Sequence, residues 1–260
     1  ITIIDGHTAF TGGINLADEY INEIVRFGHW KDASIVLRGE AVWNLTIMFL
    51  QAWEFTCGEK DDYEKYRPAV NYIGEFASDG YVQPYGDSPL DDENVGEFVY
   101  LNIINRAKDY IYINTPYLIV DNELVTALTL AAKSGVDVII VTPHIEDKWY
   151  VHLVTRAYYL QLIEAGVKIY EYTPGFIHSK TFVSDDKIGV VGTINMDYRS
   201  LYLHFENGVL LYKTKSVMEI KEDFIETLKL CQRISIEDCH KVKWANRFIT
   251  AILRVFAPLM

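Results

Sequence analysis

The sequence contains no run of 18 apolar residues, although half of its 260 residues are hydrophobic. It therefore predicts no membrane-spanning helix. Cysteine is scarce: Cys57, Cys231 and Cys239 form no CxxC pair, which favours free thiols in a reducing compartment and indicates no zinc site. Basic residues are also in deficit, with 24 Lys and Arg against 36 Asp and Glu and a net charge of −12. Such a chain is a poor general partner for nucleic acid, because binding requires Lys and Arg to neutralise phosphates.

The chain opens on Ile1-Thr2-Ile3-Ile4-Asp5, which resembles a strand already in progress, and it has neither an initiating Met nor a signal peptide. We therefore expect it to be a fragment.

Short β-branched runs alternate with longer helical patterns, which predicts an α/β fold with a mixed sheet flanked by helices. The predicted strands are Ile1–Ile4, Ser34–Leu37, Tyr110–Asn114, Val136–Val141, Val167–Tyr170, Thr181–Val183, Ile188–Val191 and Gly208–Tyr212. The predicted helices are Leu16–Phe27, Glu40–Phe55, Val95–Ala107, Asp121–Ser134, Trp149–Glu164 and Lys215–Leu230. Residues 58–94, with weak periodicity and many turn formers, are expected to connect two halves.

An internal repeat supports the two halves. Asp5 followed by Gly12-Gly13-Ile14-Asn15 recurs 180 residues later as Asp185 followed by Gly192-Thr193-Ile194-Asn195. Each copy is followed by an acid just before an apolar strand, Asp32 in the first and Glu206 in the second. The chain thus holds two copies of one unit.

The second copy carries the more complete set of reactive side chains. His178 and Lys180 are two residues apart, so on a strand they would project to one face, and Asn195 could join them from the next element. An imidazole, an ammonium and an amide suit a phosphodiester: Lys and Asn bind its oxygens, while His attacks phosphorus or moves a proton. Glu206 is expected to orient the imidazole, and an ordinary surface ion pair is the alternative for this residue.

This pattern resembles the HKD motif of the phospholipase D superfamily. The resemblance implies two phospholipase D-like halves related by a pseudo-two-fold axis, one phosphohistidine intermediate, and neither metal nor other cofactor. The His and Lys of the first motif would precede Ile1, and Asp32 would serve that His unless it too is only a surface ion-pairing residue. The expected catalytic residues are His178, Lys180, Asp185, Asn195, Glu206, Asn15 and Asp32, with Asp185 in a supporting role. Lys180, Asn195, Asn15 and Thr193 are expected to bind substrate.

The closer resemblance is to bacterial cardiolipin synthases, carried by residues 9–15, 18–20, 115–117, 135–138, 176–181 and 192–200. It implies transfer between two phosphatidylglycerols, an anionic phospholipid substrate, no nucleic acid, and a place at the bacterial cytoplasmic membrane with an upstream anchor. Two alternatives stay open: a phospholipase D or other phosphodiesterase that uses water, and a non-catalytic scaffold. The sequence does not define the oligomeric state.

The predicted domains are residues 1–83, residues 84–236 and a basic amphipathic helix over 237–260. Residues 241–260 carry Lys241, Lys243, Arg247 and Arg254 and no acid. Their apolar residues fall near one helical face, which fits a helix lying on an anionic membrane surface. A C-terminal helix packed on the protein core would show the same pattern. These apolar residues are Trp244, Phe248, Ile252, Val255, Phe256 and Leu259.

Overall fold

The computed structural model describes residues 1–69, 79–241 and 244–259, without the side chains of residues 244–248. The strands are β1 Thr2–Ile4, β2 Thr8–Gly12, β3 His29–Lys31, β4 Ser34–Arg38, β5 Tyr81–Asp87, β6 Tyr110–Asn114, β7 Leu118–Ile119, β8 Asp137–Pro143, β9 Lys168–Tyr172, β10 Gly175–Ile177, β11 Thr181–Ser184, β12 Ile188–Gly192, β13 Met196–Asp197, β14 Glu206–Tyr212 and β15 Cys231–Arg233. The helices are α1 Val42–Cys57, α2 Val95–Arg106, α3 Asn122–Lys133, α4 Trp149–Glu164, α5 Lys215–Leu228, α6 Ile236–His240 and α7 Trp244–Val255.

An eight-stranded mixed sheet in the order β15-β9-β8-β6-β11-β12-β14-β5 organises the second half. β6, β8 and β9 are parallel, and the other neighbours are antiparallel. Successive side chains of a strand point to opposite faces. Ile111 and Ile113 therefore join the main core with α2, α3 and α4, while Tyr112 packs towards Phe224 of α5 on the other face. The predicted mixed α/β fold is confirmed.

The repeat seen in the sequence is present in the backbone. β1 and β2 form a hairpin in which Ile4 pairs with Thr8, and β11 and β12 form the same hairpin with Ser184 paired to Ile188. Both turns begin with an Asp at positive φ, +51° at Asp5 and +53° at Asp185. β4 then pairs with β2 as β14 pairs with β12. The three-stranded sheet β1-β2-β4 is thus a second copy of β11-β12-β14.

Two elements differ from the sequence-based expectations. The predicted helix Leu16–Phe27 is wrong, because only Asp18–Ile21 forms a short 3-10 turn. Asn22 takes a left-handed conformation, and its side chain bonds both the backbone N–H and the carbonyl of Trp30, which turns the chain back. The connector 58–94 contains β5, an edge strand whose Pro84 and Gly86 resemble loop residues in sequence. The boundary after residue 83 falls inside β5, so the division at this point remains a proposal.

The C-terminal region forms two helices, α6 and α7, followed by a 3-10 turn over Ala257–Leu259. Thr250 and Ala257 are buried, and the Arg254 guanidinium lies 4.7 Å from the ring centre of Tyr158. One face therefore packs on the protein. The outer face remains exposed at Ile252, Val255, Phe256 and Leu259. Lys243 and the side chains of Trp244, Arg247 and Phe248 lie outside the described residues.

Within residues 1–69, 79–241 and 244–259, the helices are all too short or too polar to cross a membrane.

Candidate active site

The sequence predicted that His178 and Lys180 lie on one strand. In the structure they lie in the short segment between β10 and β11. β10 runs parallel to β3, and the pairing ends with the His178 N–H donating to the Lys31 carbonyl at 2.7 Å. Two of the three groups expected to converge are in contact: Lys180 Nζ lies 2.7 Å and 2.9 Å from the two ring nitrogens of His178. Lys180 is 3% exposed, so the ammonium faces an almost closed site.

The carboxylate that holds the imidazole is Asp32. Its Oδ2 lies 2.8 Å from His178 Nδ1, and its side chain is 2% exposed. Asp32 also accepts the N–H of Ala33 at 2.8 Å, which fixes the carboxylate. The predicted assignment, with Glu206 behind His178 and Asp32 serving another His, is therefore wrong. Asp32 belongs to the first repeat and reaches across to the second, so spacing within one repeat could not identify the pair.

Glu206 occupies the place in the second repeat that Asp32 occupies in the first. Gly13 N–H donates to the Ala33 carbonyl at 2.9 Å, and Thr193 N–H donates to the Asn207 carbonyl at the same distance. Thr193 Oγ1 donates to the Glu206 carboxylate, and His204 Nδ1 lies 3.6 Å from it. Burial raises the pKa of Glu206 to about 7. The side chain is thus a nearly buried carboxyl group poised to titrate near neutrality.

Aromatic rings enclose the His178 imidazole. Tyr20 meets it edge-on with ring centres 5.4 Å apart, Trp30 lies at 5.1 Å and Phe176 at 6.1 Å. Burial lowers the pKa of His178, and the hydrogen bond that the ring donates to Asp32 opposes that shift in part. Burial also lowers the pKa of Lys180, to about 8. Sequence reasoning did not assign Tyr20 or Trp30 to the site: Tyr20 appeared only in a segment of the family resemblance, and no motif included Trp30.

The two motif asparagines have different hydrogen-bond partners. Asn195 Nδ2 donates to Ser200 Oγ at 2.9 Å, and its buried Oδ1 has no protein partner among the described residues. An acceptor without a partner is costly to bury, so this atom is available to a ligand donor. Asn15 is exposed, and its Nδ2 donates to the Tyr20 hydroxyl at 2.8 Å. It reaches the imidazole through Tyr20 rather than directly.

Asp185 lies at the far end of β11 from Lys180. Its carboxylate accepts backbone N–H groups of Lys108, Asp109 and Tyr110 at 2.9–3.0 Å. These bonds lower its pKa against the opposing effect of burial, and they join the β11–β12 turn to the start of β6. Asp185 therefore does not contact the cluster, and its contacts are those of a supporting residue.

Among the described side chains, no three or more of His, Cys, Asp and Glu gather closely enough to hold a metal ion. The arrangement that is present provides an oriented imidazole, a buried ammonium and a free amide oxygen. The ammonium can bind a phosphate oxygen, the imidazole can move a proton or form a bond to phosphorus, and the amide oxygen can accept from a ligand hydroxyl.

Comparisons with known proteins agree with this geometry. The chain belongs to the phospholipase D superfamily. Within it, residues 100–228 match the family described as "Cardiolipin synthase, PLD-like domain".

The relatives include an uncharacterized protein of Streptococcus mutans, 50% identical over the whole chain, which covers 56% of that protein. A cardiolipin synthase of Halalkalibacterium halodurans is 39% identical over the whole chain, which covers 51% of it. The chain spans about half the length of the curated relatives it matches.

Solved structures share the fold. Phosphatidylserine synthase of Haemophilus influenzae superposes with a TM-score of 0.69 over 98% of this chain and 67% of that one, at 13% identity. Nuc from Salmonella typhimurium gives a TM-score of 0.51 over 59% of this chain and 97% of its own, at 20% identity.

Proposed function

We propose that the protein to which this chain belongs is a cardiolipin synthase, which joins two phosphatidylglycerols into cardiolipin and releases glycerol. The single observation that carries the proposal is the Asp32–His178–Lys180 cluster, set in a chain 39% identical to a cardiolipin synthase. The relatives named in this way are the reason to prefer lipid transfer over other phosphodiester chemistry.

The reaction proceeds in two displacements. In the first, an imidazole nitrogen forms a bond to phosphorus as the bond from phosphorus to the glycerol oxygen breaks, and a second imidazole gives that oxygen a proton. In the second, the same imidazole takes the proton from a hydroxyl of another phosphatidylglycerol. The resulting oxygen then attacks phosphorus and displaces the first imidazole. The proton and the leaving groups therefore balance over the cycle.

We assign His178 the acid–base role. Asp32 accepts at Nδ1, so Nδ1 carries the proton in the neutral ring and Nε2 keeps the lone pair that must receive a proton. For the first displacement Nε2 must also carry a proton, which it gives to the glycerol oxygen. The lowered pKa favours this release and leaves the ring neutral, ready to take the proton of the second phosphatidylglycerol. Lys180 would bind a non-bridging phosphate oxygen, and we keep Asn195, Asn15 and Thr193 as substrate-binding proposals.

The nucleophilic imidazole would come from a first motif of the same kind. The 260-residue chain alone therefore should not complete the cycle, because each displacement needs two imidazoles.

We further propose that the protein acts on the surface of the bacterial cytoplasmic membrane. The exposed apolar side chains of Ile252, Val255, Phe256 and Leu259 support contact with lipid, and a net charge of −12 argues against a nucleic-acid substrate.

The test is cardiolipin formation from phosphatidylglycerol vesicles by the longer protein and by its His178→Ala variant. We expect the variant to lose turnover by about a thousandfold or more, as when one member of a catalytic unit is removed. His7→Gln is the matched control, because His7 lies in the β1–β2 turn beside Thr8. Phosphatidic acid without cardiolipin would establish hydrolysis instead, and an active His178→Ala variant would disprove the assignment of His178.

A further inference from the structure

A polar cluster that the proposed reaction does not use is packed around Tyr117. The Tyr117 hydroxyl donates to Asp147 Oδ2 at 2.5 Å. Lys148 Nζ lies 3.2 Å from the same hydroxyl and 3.4 Å from Asp147 Oδ2. We call these three residues the loop cluster, because Asp147 and Lys148 come from the segment between β8 and α4.

The fold holds this segment in place from two directions. His144 Nδ1 lies 2.8 Å from Glu171 Oε2, and the fully buried Glu171 also accepts two hydrogen bonds from Arg156. Ile145 Cδ1 lies 3.1 Å from where a side chain at Gly28 would begin, so the segment also packs on the first repeat. Groups held in this way keep one position, which a binding site requires.

The loop cluster adjoins the aromatic rings that enclose the imidazole. The ring centre of Tyr117 lies 6.4 Å from that of Phe176, which in turn lies 6.1 Å from that of His178. Burial lowers the pKa of His178, and the charge of Asp147 is among the effects that oppose this shift. Burial raises the pKa of Tyr20, and the charge of Asp147 adds to that rise. The carboxylate is therefore within electrostatic reach of both rings.

Asp147 keeps one carboxylate oxygen for a ligand. Its side chain is 16% exposed, and both contacts within the loop cluster use Oδ2. Among the residues that the structure describes, none donates a hydrogen bond to Oδ1. An ionised carboxylate only accepts hydrogen bonds, so Oδ1 suits a hydroxyl group and repels a phosphate oxygen. Lys148 offsets this negative charge, so that an anionic phosphodiester can still approach.

We propose that Asp147 is a specificity-determining residue, which accepts a hydrogen bond from the middle hydroxyl of the acceptor's glycerol headgroup. This proposal rests on the proposed function, in which a glycerol hydroxyl attacks phosphorus. The headgroup of phosphatidylglycerol carries two hydroxyls on adjacent carbons, and only the terminal one forms the new ester bond. Asp147 holds the middle hydroxyl and thereby directs the terminal one towards His178 Nε2. The proton of the terminal hydroxyl goes to His178, and Asp147 takes none.

This contact distinguishes glycerol from other acceptors. Water and alcohols without a second hydroxyl on the adjacent carbon gain nothing from Asp147, although they can attack phosphorus in the same way. A contact made by one acceptor and not by another appears as a ratio of their kcat/KM values. Asp147 therefore selects among acceptors and does not accelerate every attack alike.

The test compares two soluble acceptors, isotopically labelled glycerol and 1,3-propanediol, which lacks only the middle hydroxyl. The longer protein is supplied with phosphatidylglycerol vesicles as donor, and kcat/KM is measured for each acceptor. We expect the parent to prefer glycerol by about tenfold or more, the effect of a hydrogen bond to a charged group. Asp147→Asn should lose this preference, because its amide oxygen still accepts from Tyr117 but its amide nitrogen cannot accept from a ligand hydroxyl.

Glu146→Gln is the matched control, because it removes the same charge one residue earlier at an exposed side chain. It should keep the preference of the parent. A parent that uses both acceptors equally well would overturn the inference. Asp147→Asn that slows both acceptors alike would also overturn it, since a purely structural role or a changed pKa of His178 affects every acceptor to the same extent.

Cardiolipin formation and acceptor preference are separate measurements. A protein that makes no cardiolipin but prefers glycerol would refute the proposed function and support the role of Asp147. If no transfer occurs, NMR titrations of the 260-residue chain with methyl 2,3-dihydroxypropyl phosphate and methyl 3-hydroxypropyl phosphate decide. Tighter binding of the first by the parent, and equal binding of both by Asp147→Asn, would support the inference. Equal binding of both by the parent would overturn it.

Discussion

Asp32→Asn tests the central geometry of the site, because it removes one charge with little change of shape. The negative charge and the hydrogen bond of Asp32 both raise the pKa of His178 against burial. The charge of Asp32 also raises the pKa of Lys180, which burial has already lowered to about 8. With the charge gone and burial unchanged, both pKa values should fall further. Since the pKa of Lys180 is already about 8, a further fall increases the neutral fraction of its amine near pH 7.

The stability change has a defined dependence on pH. Loss of a hydrogen bond to a buried charged group costs about 1.5–3 kcal/mol. His178 already has a pKa below its unfolded value, so its contribution is complete above that value and is lost as the pH falls. A lower folded pKa in the variant makes this loss greater. The difference in melting temperature between parent and Asp32→Asn should therefore widen from pH 7 to pH 5.

The assay is an NMR titration of the isotopically labelled His178 ring, with thermal unfolding at each pH. Glu206→Gln is the matched control, since Glu206 stands at the corresponding point of the other repeat but bonds Thr193 rather than His178. We expect the His178 titration to move strongly in Asp32→Asn and little in Glu206→Gln. The opposite pattern would refute the pairing of Asp32, from the first repeat, with His178, from the second.

Three further predictions concern other parts of the chain. The pKa of Glu206 is about 7 in the folded protein against an ordinary value of 4.5, so its contribution to stability is complete below pH 4.5 and is lost as the pH rises through 7. Glu206→Gln should therefore be more stable than the parent above pH 8, by about 3 kcal/mol, and similar to it at pH 4. Denaturant titrations at the two pH values measure this difference. Asp185→Ala removes the acceptor of three backbone N–H groups at a residue with φ of +53°. Calorimetry should show that the free energy of unfolding falls by about 2–4 kcal/mol, and Asp185→Asn should recover part of that loss. Val255→Lys and Phe256→Lys each place a charge on the exposed face of the C-terminal region, and if that face lies on lipid they should weaken vesicle flotation while melting temperature is unchanged. Equal flotation would make this region a packing element alone.

The repeat and the reactive side chains could be predicted from sequence because both are local. The 180-residue spacing fixed the equivalence of the two hairpins, and the paired strands match it residue for residue. His178 and Lys180 are close in sequence and close in space. Tyr110–Asn114 and Trp149–Glu164 have the predicted bounds, since each is a strongly patterned segment inside the core.

The sequence-based predictions were wrong where contacts between distant parts of the chain determine the structure. Leu16–Phe27 has helical spacing, but the Asn22 side chain and the contact of Tyr20 with Trp30 favour a folded-back loop. β5 contains Pro84 and Gly86, which propensity assigns to a turn, yet pairing with β14 along its whole length makes it a strand. Nothing in the sequence near Asp32 or Glu206 states which of them faces His178.

Because Asp32 and His178 come from different repeats, the site forms only where the two repeats are in contact. His178 belongs to the second repeat, but its position depends on β3 and Asp32 from the first. The same contact is held by the Lys31–Asp223 ion pair at 2.7 Å and by the hydrogen bond from Thr11 Oγ1 to Asn207 Oδ1 at 2.5 Å. Neither repeat alone could hold an oriented imidazole beside a buried ammonium. Separation of the repeats would therefore remove the chemistry even if each hairpin stayed folded, which ties the catalytic geometry of this fold directly to how its two copies dock.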